Sequence, residues 1–378
     1  MIEIKNRRDW LFAAVLASAC VALLFVDISE KTNDTPVGLH AVGTVVSTDN
    51  SNVKVNLIVK TEQQVLAVRL TDGPHAGQTL TVSNMLTGKL EFDEFYEPGD
   101  NVLVEYDTAD GKPRYGTVRG HYRLHLQLVL IAAFGALLLL TAGVTGLKAM
   151  LSFVFTSLVL WKLYFPMLLD GYSPIPLGIV LTAILTAVIT FSVGGLNRRG
   201  ISTFSGSMLG VLLTCALAIW FADAFRLSGA VRPFAETLLY SGYMDLNLTD
   251  IFTASVFIAS SGAVMDLAMD IAAGMDEIHQ KNPAICTVDH IRSGLRLGRA
   301  VVGTMTTTLL LAYSSSHIMM FMLFQARGLP LQNLLNAPFV AAEILNILVG
   351  SFGLVTVAPF TALVAGLVYR RKASGVGT

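Results

Sequence analysis

The sequence predicts an α-helical polytopic membrane protein of about eight transmembrane helices, with a small extracytoplasmic β-barrel inserted after the first crossing. Three observations carry that expectation. The 378-residue chain is 53% hydrophobic and only 14% charged, whereas a soluble domain carries roughly 25% charged residues. Its mean hydropathy is +0.61. Eight apolar runs each approach or exceed the ~20 residues that span a ~30 Å hydrocarbon core. Between the first and second runs, residues 28–122 switch to a period-two alternation punctuated by turn residues.

The first element, residues 1–27, is an anchor. Lys5, Arg7 and Arg8 precede the apolar run Trp10–Val26. A cleaved signal peptide would end near Ala17-Ser18-Ala19, but the run stays hydrophobic to Val26, so an uncleaved anchor is expected. The second element is the β domain, residues 28–122. Val42–Val46, Val53–Val59 and Asn101–Tyr106 read as strands. Asp49-Asn50-Ser51-Asn52, Asp72-Gly73-Pro74, Pro98-Gly99-Asp100 and Asp110-Gly111-Lys112-Pro113 read as turns. Five or six short strands in this length point to a small barrel, of OB-like type. Phe92, Phe95 and Tyr96 are expected in or near its core. Glu91, Asp93, Glu94 and Glu97 would repel phosphates, and the net charge of −1 gives no electrostatic footprint for nucleic acid.

The third element, residues 123–372, is expected to hold seven helices. Its runs are Leu124–Leu147, Met150–Leu169, Pro174–Val193, Ser202–Phe221, Asp250–Ala273, Val301–Phe324 and Pro338–Tyr369. Alternating crossings put Lys148, Arg198/Arg199, Lys281/Arg292/Arg296/Arg299 and Arg370/Arg371/Lys372 on the side of the amino terminus. That satisfies the positive-inside rule with both termini cytoplasmic. Residues 373–378 form a short cytoplasmic tail. Cys20, Cys215 and Cys286 have no metal-ligand or disulfide spacing, and no cofactor motif is present.

Polar residues inside the apolar runs mark the candidate site. A carboxylate in hydrocarbon costs at least ~2.5–3.5 kcal/mol, so such residues face protein or water and serve a purpose. Asp266 and Asp270 lie four apart in Ser260-Ser261-Gly262-Ala263-Val264-Met265-Asp266-Leu267-Ala268-Met269-Asp270. They share a helical face with Ser255 and Gly262. In the next run Thr304, Thr307 and Thr308 cluster ahead of Tyr313-Ser314-Ser315-Ser316-His317, and in the last Glu343 and Asn346 share a face with Gly350 and Gly353. The candidate ion, proton or substrate site therefore comprises Asp266, Asp270, Glu343, Asn346, Thr304, Thr307, Thr308 and Ser261. Carboxylates with hydroxyls make a hard oxygen site for a cation such as Na⁺ or Mg²⁺, or a place where a proton binds and leaves. The identity of a metal is open. In the last run, Gly350-Ser351-Phe352-Gly353 and Pro359 allow either an interrupted helix, as in transporters, or a relieved kink.

Three segments carry a family resemblance: Ser261–Asp270, Gly303–Tyr313 and Gly350–Leu363. Together, and with the anchor and external domain, they resemble the YibE/F family of bacterial multipass membrane proteins. The resemblance implies a bacterial plasma-membrane protein. It favours a small polar residue at position 270, so it supports Asp266 more than Asp270, and it implies no mechanism.

Catalysis is not expected. Asp266 and Asp270 lie on one helix rather than facing each other across two, and Ser316 and His317 point ~100° apart. No Gly-x-Ser-x-Gly or Walker sequence occurs. Two functional readings follow. One is a secondary transporter or channel-like permease for a small ion or solute, coupled to a cation or proton. The other is a non-transporting scaffold or envelope assembly factor that works through the external domain. The lipid bilayer is a partner in both, and a homo- or hetero-oligomer is compatible with either.

Overall fold

The computed structural model describes residues 2–26, 38–109 and 112–370. The expected tail 373–378 lies outside the described residues, as do Asp110 and Gly111 of the last predicted turn. Two units are distinct: Met1–Lys31 with Leu138–Thr378, and Thr32–Leu137.

Alternation builds the second unit. Its strands are β1 (Leu39–Asp49), β2 (Lys54–Asn56), β3 (Val59–Leu70), β4 (Thr79–Thr87), β5 (Asn101–Ala109) and β6 (Lys112–His121). Every second residue points inward: Leu66, Val68 and Leu70 of β3 meet Leu80 and Val82 of β4 and Val102, Val104 and Tyr106 of β5. The sheet runs β1-β5-β6-β4-β3-β2 and closes through a β1–β3 pairing. β1, β3, β4, β5 and β6 thus form a five-stranded closed barrel. β4 and β6 are parallel, with Val82 beside Gly116.

One buried polar residue is fully served. Gln64 donates to the Tyr96 carbonyl at 2.8 Å and to Asn50 Oδ1 at 3.0 Å. Its own oxygen accepts from Asn84 at 3.1 Å and from the Tyr96 N–H at 3.2 Å. Tyr96 is in the core as expected, but Phe92 is half exposed and Phe95 lies under the Lys60 ammonium, 3.2 Å from its ring centre. The expected strand Val53–Val59 is instead a hairpin. Asn56 pairs with Val59, and Leu57 between them adopts a left-handed backbone, φ 57°. Period-two hydrophobicity runs through this turn and hides it.

The other unit is helical. Its elements, with the helix that leads out of the barrel, are α1 (Ile2–Leu24), α2 (Leu124–Val159), a π-helical turn (Leu160–Tyr164), α3 (Phe165–Leu169), α4 (Pro174–Gly194), α5 (Arg198–Ala224), a 3₁₀ turn (Gly229–Val231), α6 (Ala235–Tyr240), α7 (Leu248–Lys281), α8 (Thr287–Ser315), α9 (Ile318–Ala326), α10 (Leu331–Asn336) and α11 (Pro338–Val368). Among the described residues five helices are long and apolar enough to cross a membrane: Leu124–Leu169, α4, α5, α7 and α11. The α8–α9 pair makes six if it counts as one span.

Two expectations about these helices change, and one open alternative is resolved. The break between the runs Leu124–Leu147 and Met150–Leu169 falls earlier than expected, at Gly143, whose angles are non-helical (φ 54°, ψ −130°). Gly146 packs on the Leu138 carbonyl, although eight residues of straight helix would hold them ~12 Å apart. The chain therefore bends sharply at Gly143, where no Cβ opposes the positive φ. The expected span Val301–Phe324 is split by a 69° bend between α8 and α9, within Ser315-Ser316-His317. There Ser315 donates to the Ala312 carbonyl, the local competition by which serine weakens helix continuation. The last run is uninterrupted: Gly350, Gly353 and Pro359 all lie inside α11.

Small residues explain how these helices approach. A Cβ on Gly210 of α5 would lie 2.9 Å from Val264 of α7 and 3.2 Å from Val357 of α11. A Cβ on Gly298 of α8 would lie 2.7 Å from Ala358. Gly353 sits directly on Thr214 of α5. Such seams are the usual device for helix association in lipid, where apolar burial gives no preference for protein over acyl chain. The contacts also fix direction. Ser260 meets Gly350, and Tyr369 beyond α11 donates to Asp276 of α7 at 2.6 Å. α7 and α11 are therefore parallel. α8 runs against both, with Gly294 beside Ala362 and His317 beyond its far end beside Glu343.

Residues 276–299 are the end of α7 and the start of α8 around a short turn. Within them His290 is 2% exposed, and its ring hydrogen-bonds the Met275 carbonyl at 2.8 Å.

Candidate functional site

Glu343 is a buried carboxylate of the helical unit. It sits in the second turn of α11, 2% exposed. Pro338 begins that helix, its fixed φ suited to the first turn. The carboxylate Oε2 lies 3.6 Å from Arg232 Nη1 and 3.5 Å from His317 Nδ1. Both contacts exceed the ~2.7–2.9 Å of a strong charge-assisted hydrogen bond. The other oxygen, Oε1, has no hydrogen-bond partner among the described residues.

Two different breaks in helical structure deliver these two side chains. Arg232 closes the 3₁₀ turn Gly229–Val231, and its guanidinium lies 5.1 Å from the Phe252 ring, a cation–π distance. His317 stands at the α8–α9 bend as the residue before α9. Without that bend, His317 would continue the α8 helix.

Two cavities meet at Arg232 and Pro233. One, of about 270 Å³, is lined by Arg232, His317, Met320, Phe339 and Glu343, with Ala342 and Val231. The other, of about 610 Å³, is lined by Arg232, Phe252, Ser255, Ala259 and Asn346, among others. Asn346 is 6% exposed, and its Oδ1 also lacks a partner among the described residues. An unmet buried acceptor costs about 1–3 kcal/mol. Two of them, three residues apart on one helix and each lining a cavity, form a pair of acceptors available to a ligand. Glu343 and Asn346 were legible in the sequence. Arg232 and His317 were not.

The aspartates lie elsewhere. Asp266 and Asp270 are both exposed on α7, on one face with Ser255, Ala259 and Gly262. Neither has a hydrogen-bond or ion-pair partner among the described residues. Val264, two residues before Asp266, packs on Gly353, ten residues past Glu343. Asp266 and Asp270 are thus roughly 18 and 24 Å further along the bundle. The stripe nevertheless links the two regions, because Ser255 and Ala259 line the larger cavity.

The hydroxyl residues spend their donors within their own helices. Thr304, Thr307 and Thr308 are exposed and donate to carbonyls of their own helix, those of Val301, Gly303 and Thr304, at 2.9, 3.1 and 3.0 Å. Ser261 donates to Ile258 at 2.6 Å. Their donors are used locally, and only lone pairs remain for a ligand. No group of three or more His, Cys, Asp or Glu side chains is arranged to hold a metal among the described residues.

Residues 130–371 match the profile of the YibE/F-like protein family, and residues 39–121 match the YibE/F family N-terminal domain. No curated protein matches the chain, and no solved structure does.

Proposed function

The chain belongs to the YibE/F family, and we propose that it is a plasma-membrane permease for a small ion or solute, coupled to a cation or proton. The observation that carries this reading is Glu343, a buried carboxylate held loosely by two basic groups, with one oxygen unpartnered beside a cavity. A cation or proton at Oε1 competes with Arg232 for the carboxylate. Occupancy then loosens the Arg232 contact, and release draws it back. Asn346 and the Ser255–Asp270 stripe of α7 continue polar contact toward the far side of the bundle. Intramembrane acids mark ion pathways and proton relays.

In this reading eight crossings are made: α1, two within Leu124–Leu169 on either side of Gly143, α4, α5, α7, the bent α8–α9 pair, and α11. Both termini are cytoplasmic. The barrel is then extracytoplasmic, and its strand order with parallel β4 and β6 supports an OB-like type. No catalytic step and no cofactor enter the reading.

Cation and proton flux into proteoliposomes of the full chain tests it. Glu343→Gln should lower flux at least ~10-fold, the scale of one lost charge contact of ~1.4 kcal/mol. Asp266→Asn should lower it as well, with insertion unchanged. Normal flux in Glu343→Gln overturns the assignment of that residue. A second reading is favoured by the uncovered α7 face: two carboxylates there call for another copy or another chain, as an assembly factor would have. Deleting residues 39–121 separates the two readings, since transport survives that loss and scaffolding through the barrel does not.

A further inference from the structure

The barrel carries an apolar tip at the end from which the chain enters its next helix. In the β2–β3 hairpin, Val55, Leu57 and Ile58 are 61%, 98% and 75% exposed, and Leu90 in the loop after β4 is 63% exposed. Two-residue hairpin loops strongly prefer Asn-Gly or Asp-Gly, because left-handed backbone is required. Here the loop is Leu57-Ile58, with Leu57 at φ 57°. A large aliphatic residue in that conformation helps neither the turn nor solubility, so barrel folding does not account for it.

The strand register says which end this is. β4 and β6 are parallel, so Thr87 and His121 finish at the same end. Thr61 pairs with Thr87, which puts the β2–β3 tip there too. Glu94 ties the loop to the exit of the barrel: it accepts from the His121 N–H at 2.9 Å and from Arg123 at 2.6 Å. α2 begins at Leu124, with Leu126, Leu128, Val129 and Leu130 exposed. From His121 to Leu124, and from Thr61 to Ile58, the chain advances three residues, ~10 Å in each case. The tip and the start of an apolar helix therefore reach similar distances from the barrel. Tyr122 stacks on His125 between them, ring centres 5.5 Å apart, the amphipathic ring type enriched where helices meet the interface.

We propose that the β2–β3 hairpin and the loop at Leu90 dip into the outer surface of the bilayer that α2 enters, seating the barrel on lipid. Charge at this end is balanced. Lys54 pairs with Glu62, and Lys60 and Lys89 are offset by Glu91 and Asp93. The contact is therefore apolar and works with zwitterionic lipid.

The test uses the full chain with Cys20, Cys215 and Cys286 replaced by alanine, carrying Leu57→Cys, Leu90→Cys or Asp107→Cys. Each is labelled with an environment-sensitive fluorophore in phosphatidylcholine liposomes. Asp107, opposite Tyr115 on β6, reports the other end of the barrel. A quencher attached at headgroup depth should act at least about threefold more strongly at positions 57 and 90 than at 107, and iodide the reverse, as for interfacial side chains. Iodide quenching at 57 and 90 equal to that at 107 overturns the proposal. Protection of 57 and 90 from both quenchers also overturns it, and assigns the tip to a protein partner. Quenching that requires added phosphatidylglycerol overturns the apolar basis.

Discussion

Replacing Arg232 by glutamine tests whether Glu343 is held as an ion. The carboxylate is 2% exposed, and Arg232 Nη1 is 3.6 Å from its Oε2. At an effective dielectric near 20, unit charges at that separation attract by roughly 5 kcal/mol. The Arg232 side chain is 30% exposed, so solvent screening and desolvation reduce the net value to roughly 1–3 kcal/mol. Arg232→Gln leaves a buried carboxylate with only His317 beside it, and the expected loss is about 2–3 kcal/mol. Glu343→Gln keeps the volume and leaves Arg232 able to turn toward solvent, so its loss should stay below about 1.5 kcal/mol. The double variant should resemble Glu343→Gln alone, because the stranded charge is then gone. Thermal unfolding of the full chain in detergent reads the ordering, at ~2–4 °C per kcal/mol. Single effects that add within ~0.5 kcal/mol would show that the two groups are not coupled, and the reasoning about this site would fail.

Three further outcomes are expected. Gln64→Leu should destabilise the barrel by about 1–3 kcal/mol, since it leaves one Asn84 N–H and both Tyr96 backbone groups unmet; near-UV circular dichroism of the barrel tyrosines during denaturation measures it, and a neutral effect refutes the network. Burial alone would raise the Glu94 carboxyl, but hydrogen bonds from Arg123, His121 and Tyr96, with the Arg123 charge, hold it below its ordinary 4.5. A carboxyl lowered by folding contributes stability above its unfolded value and loses it as pH falls through the folded one. Glu94→Gln should therefore flatten the acid limb of the same signal, and an unchanged slope below pH 5 argues against the pairing. Gly210→Val, placed between Val264 and Val357, should cost the helical unit ~1–3 kcal/mol by overpacking. Gly303→Ala, with nothing within 4 Å of the new carbon, should instead stabilise it by up to ~1 kcal/mol; equal effects on unfolding would refute the seam.

The parts legible in the sequence are those set by periodicity. Inward positions such as Leu66 and Val68 follow from alternation, and the long apolar runs mark α4, α5, α7 and α11 because length and composition alone define them. Glu343 and Asn346 could be found because a carboxylate and an amide in an apolar run stand out. Arg232 and His317 could not, since each reaches the site through a local break whose position depends on tertiary packing. The Ser314-Ser315-Ser316 run was the available signal for the second break. The Leu57 turn was hidden for the opposite reason, as its residues suit a strand. The glycines and proline of α11 read equally as an interruption or as a relieved kink, and only the neighbours Ser260 and Thr214 show Gly350 and Gly353 to be seams.

The seams restrict what can move. α5, α7 and α11 meet at Gly210, Val264, Val357 and Gly353 with no room for a Cβ on either glycine, so sliding one helix by a single residue produces a collision. These three behave as a stator. The elbow between α8 and α9, which carries His317, contains no glycine seam, whereas Gly229 in the turn before Arg232 is pressed on the Leu248 backbone. In the proposed permease, movement around the Glu343 carboxylate therefore falls to the His317 elbow, against a fixed column.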